Sequence, residues 1–167
     1  MKVVIRREQK KDIEAIRQVH EAAFPTPVEA ELVDLIEAHG HAVLSLVALS
    51  EDAVVAHVLF SRLNTLEAQG LRASALGPLA VMPDLHRRGI ATALVREALV
   101  RLQDDGEDLV LVLGDPDFYE RFGFSAKAAE VFQTPYDGPH LQALALSDAG
   151  RLAQGVVRYA PAFSKIA

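Results

Sequence analysis

The sequence predicts an α/β (α+β) fold: one mixed, mostly antiparallel sheet with a splayed parallel strand pair, flanked by helices. Three observations carry this. Two β-rich runs, "AVLSLVALS" and "AVVAHVLFSRL", are separated only by Glu51-Asp52, a connection that suits antiparallel neighbours. A third run, "LRASALGPLAV", leads through a helical pattern to the apolar run "DLVLVL"; strands joined by such a crossover are parallel. Inside the third run, Pro78 cannot donate to a ladder and Gly77 permits a bulge, which would part the parallel strands.

Each element has its own warrant. "KVVIRRE" (2–8) reads as a first strand. "DIEAIRQVHEAAF" reads as a helix with Asp12 as N-cap and Ile13, Ile16, Val19 and Ala23 near one face. Phe24-Pro25-Thr26-Pro27 breaks it. In "VEAELVDLIEAHG", Val28, Leu32, Leu35, Ile36 and His39 keep the helical period, and Gly40 stops it. The hairpin strands and the third strand follow. A helix from Arg88 to Asp104 carries Ile90, Leu94, Ala98 and Leu102 at intervals of four. "DLVLVL" (108–113) is wholly apolar, as in a strand buried on both faces. "PDFYERF" reads as a short helix ended by Gly123, with strands expected at 124–126 and at "LQALAL". The end, "QGVVRYAPAF", is apolar enough to dock. With no internal repeat or linker, residues 1–167 read as one domain, with 147–167 as a docked C-terminal extension.

Composition narrows the function. The 167 residues include 17 Lys plus Arg and 23 Asp plus Glu, for a net charge of -6. That balance argues against a nucleic-acid binder. There is no cysteine, hence no thiol nucleophile and no Cys-ligated zinc. The first residues lack the apolar core of a signal peptide, and no apolar run is long enough for a bilayer. The expectation is a cytoplasmic protein with no membrane partner. Other familiar sites are missing: His20 has no histidine at position 24, and there is no Gly-x-Ser-x-Gly elbow, Walker loop or Gly-x-Gly-x-x-Gly.

The stretch "LGPLAVMPDLHRRGIATAL" (76–94) carries the chemistry. A helix N-terminus favours an anion, because its first N–H groups are free and its dipole is positive there. Many helices supply Asp or Glu. Here the first acidic residue after Arg88 is Glu97, and Arg87 and Arg88 add positive charge. Gly89 allows close backbone approach, and Ala91 and Thr92 keep the turn small. A phosphate or pyrophosphate fits this mouth. Splaying at Gly77-Pro78 would leave backbone groups near Leu79, Ala80 and Val81 open to an extended, amide-containing arm. Phosphates and an amide arm together describe coenzyme A. A Gly-containing turn alone is more often plain architecture; the joint pattern is what carries the reading.

His86-Arg87-Arg88-Gly89-Ile90-Ala91 resembles the phosphate loop Gln/Arg-x-x-Gly-x-Gly/Ala of the GNAT acyl-CoA N-acyltransferases, with His86 in place of Gln or Arg. "VLGDPDFYERFGF", "AHVLFSRL" and "GVVRYAPAF" resemble one branch of small bacterial N-acetyltransferases. The resemblance implies the GNAT fold and transfer of an acetyl group from acetyl-CoA, as cosubstrate, to a primary amine by direct attack on the thioester. The acceptor would be a small-molecule or peptide amine; no metal is expected, and a homodimer stays open. Leu79, Ala80 and Val81 would bind the pantetheine through their backbones. Arg87, Arg88, Gly89, Ile90, Ala91 and Thr92 would cradle the pyrophosphate. Tyr119 takes the place of the family's tyrosine near the sulfur, where a phenol of pKa about 10 can protonate a thiolate whose acid lies near 8.5. Packing against Phe118 and Phe122 is the rival role for Tyr119. The general base stays open between His57, Asp115 and water. Glu29, Glu31, Asp34 and Glu37 on the second helix suggest a cationic acceptor or serve as a solvated face. A non-catalytic acyl-CoA-binding regulatory module of the same fold is the alternative to an enzyme.

Overall fold

The computed structural model describes residues 2–166. In chain order the strands are β1 (Val4–Arg7), β2 (Ala42–Ser50), β3 (Ala53–Arg62), β4 (Ala73–Val81), β5 (Leu109–Leu113), β6 (Phe132–Gln133), β7 (Leu141–Ala145) and β8 (Gly155–Val156). The helices are α1 (Ile13–Ala23), α2 (Val28–Ala38), α3 (Ile90–Asp104), α4 (Pro116–Tyr119), α5 (Ala126–Ala129), α6 (Asp148–Leu152) and α7 (Ala162–Ile166). Six strands form one sheet in the order β1-β2-β3-β4-β5-β7. Only β4 and β5 within it run parallel. β6 and β8 form a separate two-stranded pair. Among the described residues no helix is long and apolar enough to cross a membrane.

Strand periodicity decides which layer each side chain joins. On one face, Leu44, Leu46 and Ala48 of β2, Val58 and Phe60 of β3, and Val110 and Val112 of β5 pack with Ile90, Leu94, Val95, Ala98 and Leu102 of α3. On the other, Val47 and Leu59 meet Ile16 of α1 and Leu32, Val33 and Ile36 of α2. Leu109 and Leu111 face a third cluster with Leu141, Phe132 and Val157. The apolar run of β5 is thus buried on both sides, as its lack of alternation required. The β2–β3 turn is tight because Glu51 and Asp52 both take positive φ, 50° and 66°, the pattern that matches strand twist in two-residue hairpins.

Three expectations need correction. Asp12 does not cap α1 through its side chain; it takes both guanidinium nitrogens of Arg6 (2.7 and 3.1 Å) and the Gln9 N–H (2.7 Å). Its pKa is held below the ordinary value, first by that Arg6 contact. Ile13, placed on the buried face by periodicity, is 47% exposed, while His20 is fully buried. The strand expected at 124–126 is reduced to a single bridge between Ser125 and Ala143. Ser125 then caps α5 by accepting from Ala128 N, so local capping overrides the short apolar signal.

The parallel pair is clamped at one end. Glu107, 2% exposed, accepts two bonds from Arg62 (2.7 and 3.0 Å) and one from Arg72 (2.8 Å). This ties the exit of β3 and the entries of β4 and β5 together. At the other end the pair comes apart, and that is where the candidate site lies.

Candidate active site

The pairing register shows how the opening is built. β4 follows β5 from Ala73↔Leu109 to Leu76↔Val112 and no further. Against β3, Leu76 faces Phe60 but Leu79 faces Val58. Three steps on β4 therefore match two on β3, which is a bulge at Gly77-Pro78. The Gly77–Pro78 peptide bond is cis, and Gly77 has φ 141°.

The extra residue changes which backbone groups face outward. Leu63 N–H donates to Ala73 O (3.0 Å), and Met82 N–H donates to Val55 O (2.9 Å). Counting alternately from these two bonds, Ala73 and Ala75 turn toward β3 before the bulge, and Ala80 and Met82 do so after it. Leu79 and Val81 turn the opposite way, to the edge that β5 has left. Ala80, expected to offer its backbone with its neighbours, instead pairs with His57 in the β3 ladder.

The loop after β4 holds the second half of the site. Arg87 has φ 66° and Gly89 φ 79°, with no positive φ at Arg88 between them. Such alternation turns successive N–H groups to one concave side, an anion-binding geometry. α3 starts at once, with no side-chain cap and no acidic residue in its first turn. His86 Nε2 lies 2.9 Å from Val81 O; its N–H donates there and braces the loop onto the strand end. The residue that departs from the loop pattern thus has a definite role.

A cleft of about 530 Å³ joins the two halves. Leu79, Val81, Arg87, Gly89, Ile90, Ala91 and Thr92 line it. Arg88, expected from the sequence beside them, is not among the residues that line it. The opposite wall holds Phe118 and Arg121, which sequence reasoning missed. Arg121 is held in place: its Nε donates to Phe118 O (2.8 Å), its Nη1 to Thr92 Oγ1 (3.3 Å), and it lies 4.6 Å over the Phe118 ring. Among the described residues no acidic side chain lines this cleft. The wall from α4 is invisible to local pattern, because it depends on how the chain folds back after β5.

A second cavity, about 300 Å³, lies on the other side of Leu79, which lines both. Gly77, Pro78 and Tyr119 are on its wall, together with Phe24, which caps the C-terminus of α1, and Glu29 of α2. Phe118 faces the first cavity and Tyr119 the second, so α4 stands at the pass between them. Tyr119 is 8% exposed, and its ring packs edge-on against Phe118 (4.9 Å) and Phe124 (5.8 Å). Asp115 caps α4 by accepting from Asp117 N (3.0 Å), which commits that carboxylate to structure. Burial pushes the Tyr119 phenol up to about 12, so it stays protonated across the neutral and mildly alkaline range.

Two polar atoms of the second cavity are buried with no partner among the described residues: Glu29 Oε1 and Tyr159 Oη. Such atoms are costly unless something satisfies them. Tyr159 comes from the C-terminal segment, beside Phe163. His57 lies off this cavity, wholly buried beneath α1 and bonded to His20 and Ser45.

Comparison with known proteins places these features. Residues 4–126 match the model of the acetyltransferase (GNAT) domain. The uncharacterized N-acetyltransferase YhbS of Escherichia coli K12 is 34% identical over 127 residues, 75% of each chain. YjhQ of the same organism, also called an uncharacterized N-acetyltransferase, is 34% identical over 134 residues, 78% of this chain and 74% of its own. Among solved structures, Escherichia coli YhbS in complex with CoA superposes with a TM-score of 0.91 at 31% identity, over all of this chain and 94% of that one. A GNAT acetyltransferase from Brucella melitensis in complex with acetyl-CoA gives 0.80 at 34% identity, over 97% and 98% of the two chains.

Proposed function

The chain belongs to the GNAT acetyltransferase family, and on that premise we propose that it transfers the acetyl group of acetyl-CoA to a small cationic primary amine. The observation that carries the reading is the pair of cavities meeting at Leu79, one rich in anion-binding groups and the other holding buried, unpartnered acceptor atoms. Residues 1–167 act in this reading as one domain, with 147–167 docked as an extension that contributes Tyr159.

Each part then has a task. The N–H groups from Arg87 to Thr92 and the start of α3 hold the pyrophosphate. Arg121 adds charge from the facing wall. Leu79 and Val81 present backbone groups to the amide-bearing arm, and the thioester reaches the pass beside Tyr119. The amine nitrogen, as the free base, attacks the thioester carbonyl carbon, the C–S bond breaks and the thiolate leaves. The nitrogen gives up one N–H proton as the amide forms, which balances the proton supplied to the sulfur. Leu79 N–H lies on the open edge, where it can meet the oxyanion. Tyr119 donates to the departing sulfur. A phenol near 12 is a weak acid toward a thiolate whose acid lies near 8.5 in water. The same low-dielectric pocket raises the thiolate's proton affinity too, so burial shifts both partners in one direction.

Thiol release from acetyl-CoA across phenethylamine, putrescine, a peptide amine and glutamate tests the reading. Release with the cationic amines and not with glutamate is expected; release with none would overturn it.

Two variants probe the halves separately. Arg121→Ala removes a charge held on the cleft wall. A hydrogen bond to a charged group contributes about 1.5–3 kcal/mol, so calorimetry is expected to show acetyl-CoA affinity falling by about 10–100-fold with the fold intact. Unchanged affinity would place the phosphates elsewhere. Glu29→Gln keeps the shape of the side chain and removes its charge. It is expected to raise the amine KM by about tenfold or more at unchanged acetyl-CoA affinity. An unchanged amine KM would make Glu29 a bystander.

A further inference from the structure

A buried chain of hydrogen bonds runs from α1 through the sheet to a surface cleft. His20 Nε2 lies 2.8 Å from His57 Nδ1. His57 Nε2 lies 2.8 Å from Ser45 Oγ, and the Ser45 hydroxyl donates to Glu8 Oε1 at 2.6 Å. Both histidines are fully buried.

The chemistry of its end fixes the direction of every proton. A carboxylate only accepts, so Ser45 O–H points to Glu8. Ser45 Oγ then accepts from His57 Nε2–H, which leaves His57 Nδ1 bare. His20 must donate from Nε2–H, which leaves His20 Nδ1 bare as well. That atom is buried and has no partner among the described residues. His20 stacks on Phe24, the residue just past the end of α1, and Phe24 is on the wall of the cavity that holds Tyr119 and Glu29. At the far end, Glu8 and Glu37 line a cleft of about 480 Å³.

We propose that His20, His57, Ser45 and Glu8 form a proton relay that carries the proton lost by the acceptor amine to the cleft shared by Glu8 and Glu37. An N–H bond of the amine breaks, directly or through one water, as His20 Nδ1 gains a proton. His20 Nε2–H passes to His57 Nδ1, His57 Nε2–H to Ser45 Oγ, and the Ser45 proton to Glu8. The ammonium form of the acceptor loses this one proton before attack and Glu8 gains it. The second N–H proton, lost as the amide forms, balances the one Tyr119 gives to the sulfur. A passage inverts both ring tautomers, so each turnover includes their reset.

The surroundings suit a conduit rather than a store. Burial is the main cause that drives both imidazoles below the ordinary histidine range, so both rest neutral with an open lone pair. The charged groups near them are Glu8, whose Oε1 lies 3.7 Å from His57 Nε2, Asp34, which Arg17 pairs, and Asp12, which Arg6 pairs. Glu37 is pushed up to about 7, first by burial and then by Glu8. It can therefore exchange a proton with solvent near neutral pH.

The relay rests on the acetyl-transfer reading, and two arms separate their failures. Side-chain nitrogen NMR of the whole protein at neutral pH is expected to show both rings protonated at Nε2 and bare at Nδ1. A proton on His20 Nδ1, or titration of either ring near neutrality, would overturn the relay whatever the activity. The kinetic arm compares ethylamine, an ammonium ion at neutral pH, with trifluoroethylamine, which is already neutral there. His20→Gln and Ser45→Ala are expected to lower kcat/KM for ethylamine by about 10²-fold, with much smaller losses for trifluoroethylamine and unchanged acetyl-CoA affinity. Equal losses with both amines would mark the chain as structural. If the unaltered protein acetylates neither amine, the transfer reading has failed, and the NMR result alone decides the relay.

Discussion

Tyr119→Phe is expected to slow the chemical step by about 10²–10⁴-fold while leaving acetyl-CoA affinity nearly unchanged. The substitution keeps the ring, and with it the edge-on packing on Phe118 and Phe124. Only the proton donor is lost. Raising the pH cannot restore an acid that is absent, so the variant stays slow in alkali. The unaltered protein carries a second expectation. Its phenol is raised from 10.0 to about 12, so the protonated, donating form persists as pH passes 10 and is lost only near 12. An alkaline fall in kcat near pH 10 would therefore contradict the environment described for Tyr119. Single-turnover transfer is the measurement, and a variant with the unaltered rate would reduce Tyr119 to a packing residue.

The second large effect concerns Gly89. Its φ of 79° is left-handed, and the space where a Cβ would stand holds nothing within 4 Å. The obstacle to a side chain in the unliganded protein is thus backbone strain and not crowding. An L-residue in this conformation costs roughly 1–2 kcal/mol, and a β-branched one is worse placed still. Gly89→Val is expected to relax the loop, turn its N–H groups away from the pyrophosphate and weaken acetyl-CoA binding by about tenfold or more. Gly89→Asn, whose side chain tolerates the left-handed region, is expected to stay within about threefold. Calorimetry on both folded variants reads the difference. Equal affinities for Val, Asn and Gly would mean that the loop does not touch the ligand.

Sequence alone marked those parts of the candidate site whose structure depends on neighbours in the chain. The loop from Arg87 to Thr92, the bulge at Gly77-Pro78 and the parallel crossover all follow from adjacent residues, and the structure has each of them. Alternation was readable in principle, yet its consequence was not. The bulge shifts the strand's phase by one residue, and only the register with Val58 and Phe60 shows that Ala80 turns toward β3 while Leu79 and Val81 turn outward. Arg121, Glu29 and Tyr159 lie far from the loop in sequence, Arg121 being 29 positions beyond Thr92, and long-range packing alone brings them to the two cavities. His57 reads in sequence as one candidate base in a strand. Its link to His20 spans 37 positions, which no local pattern encodes.

The central claim is that the abandoned edge of β4 and the mouth of α3 are one surface that holds the acyl carrier. Residue-resolved amide hydrogen exchange, with and without acetyl-CoA, tests it most directly. The Ala80 amide, paired with β3, is expected to exchange slowly in both states. The Leu79 and Val81 amides and those from Arg88 to Thr92 are expected to exchange faster in the free protein and to become protected together when acetyl-CoA is added. Added acetyl-CoA that leaves those amides unchanged, or protects a different surface, would contradict the account.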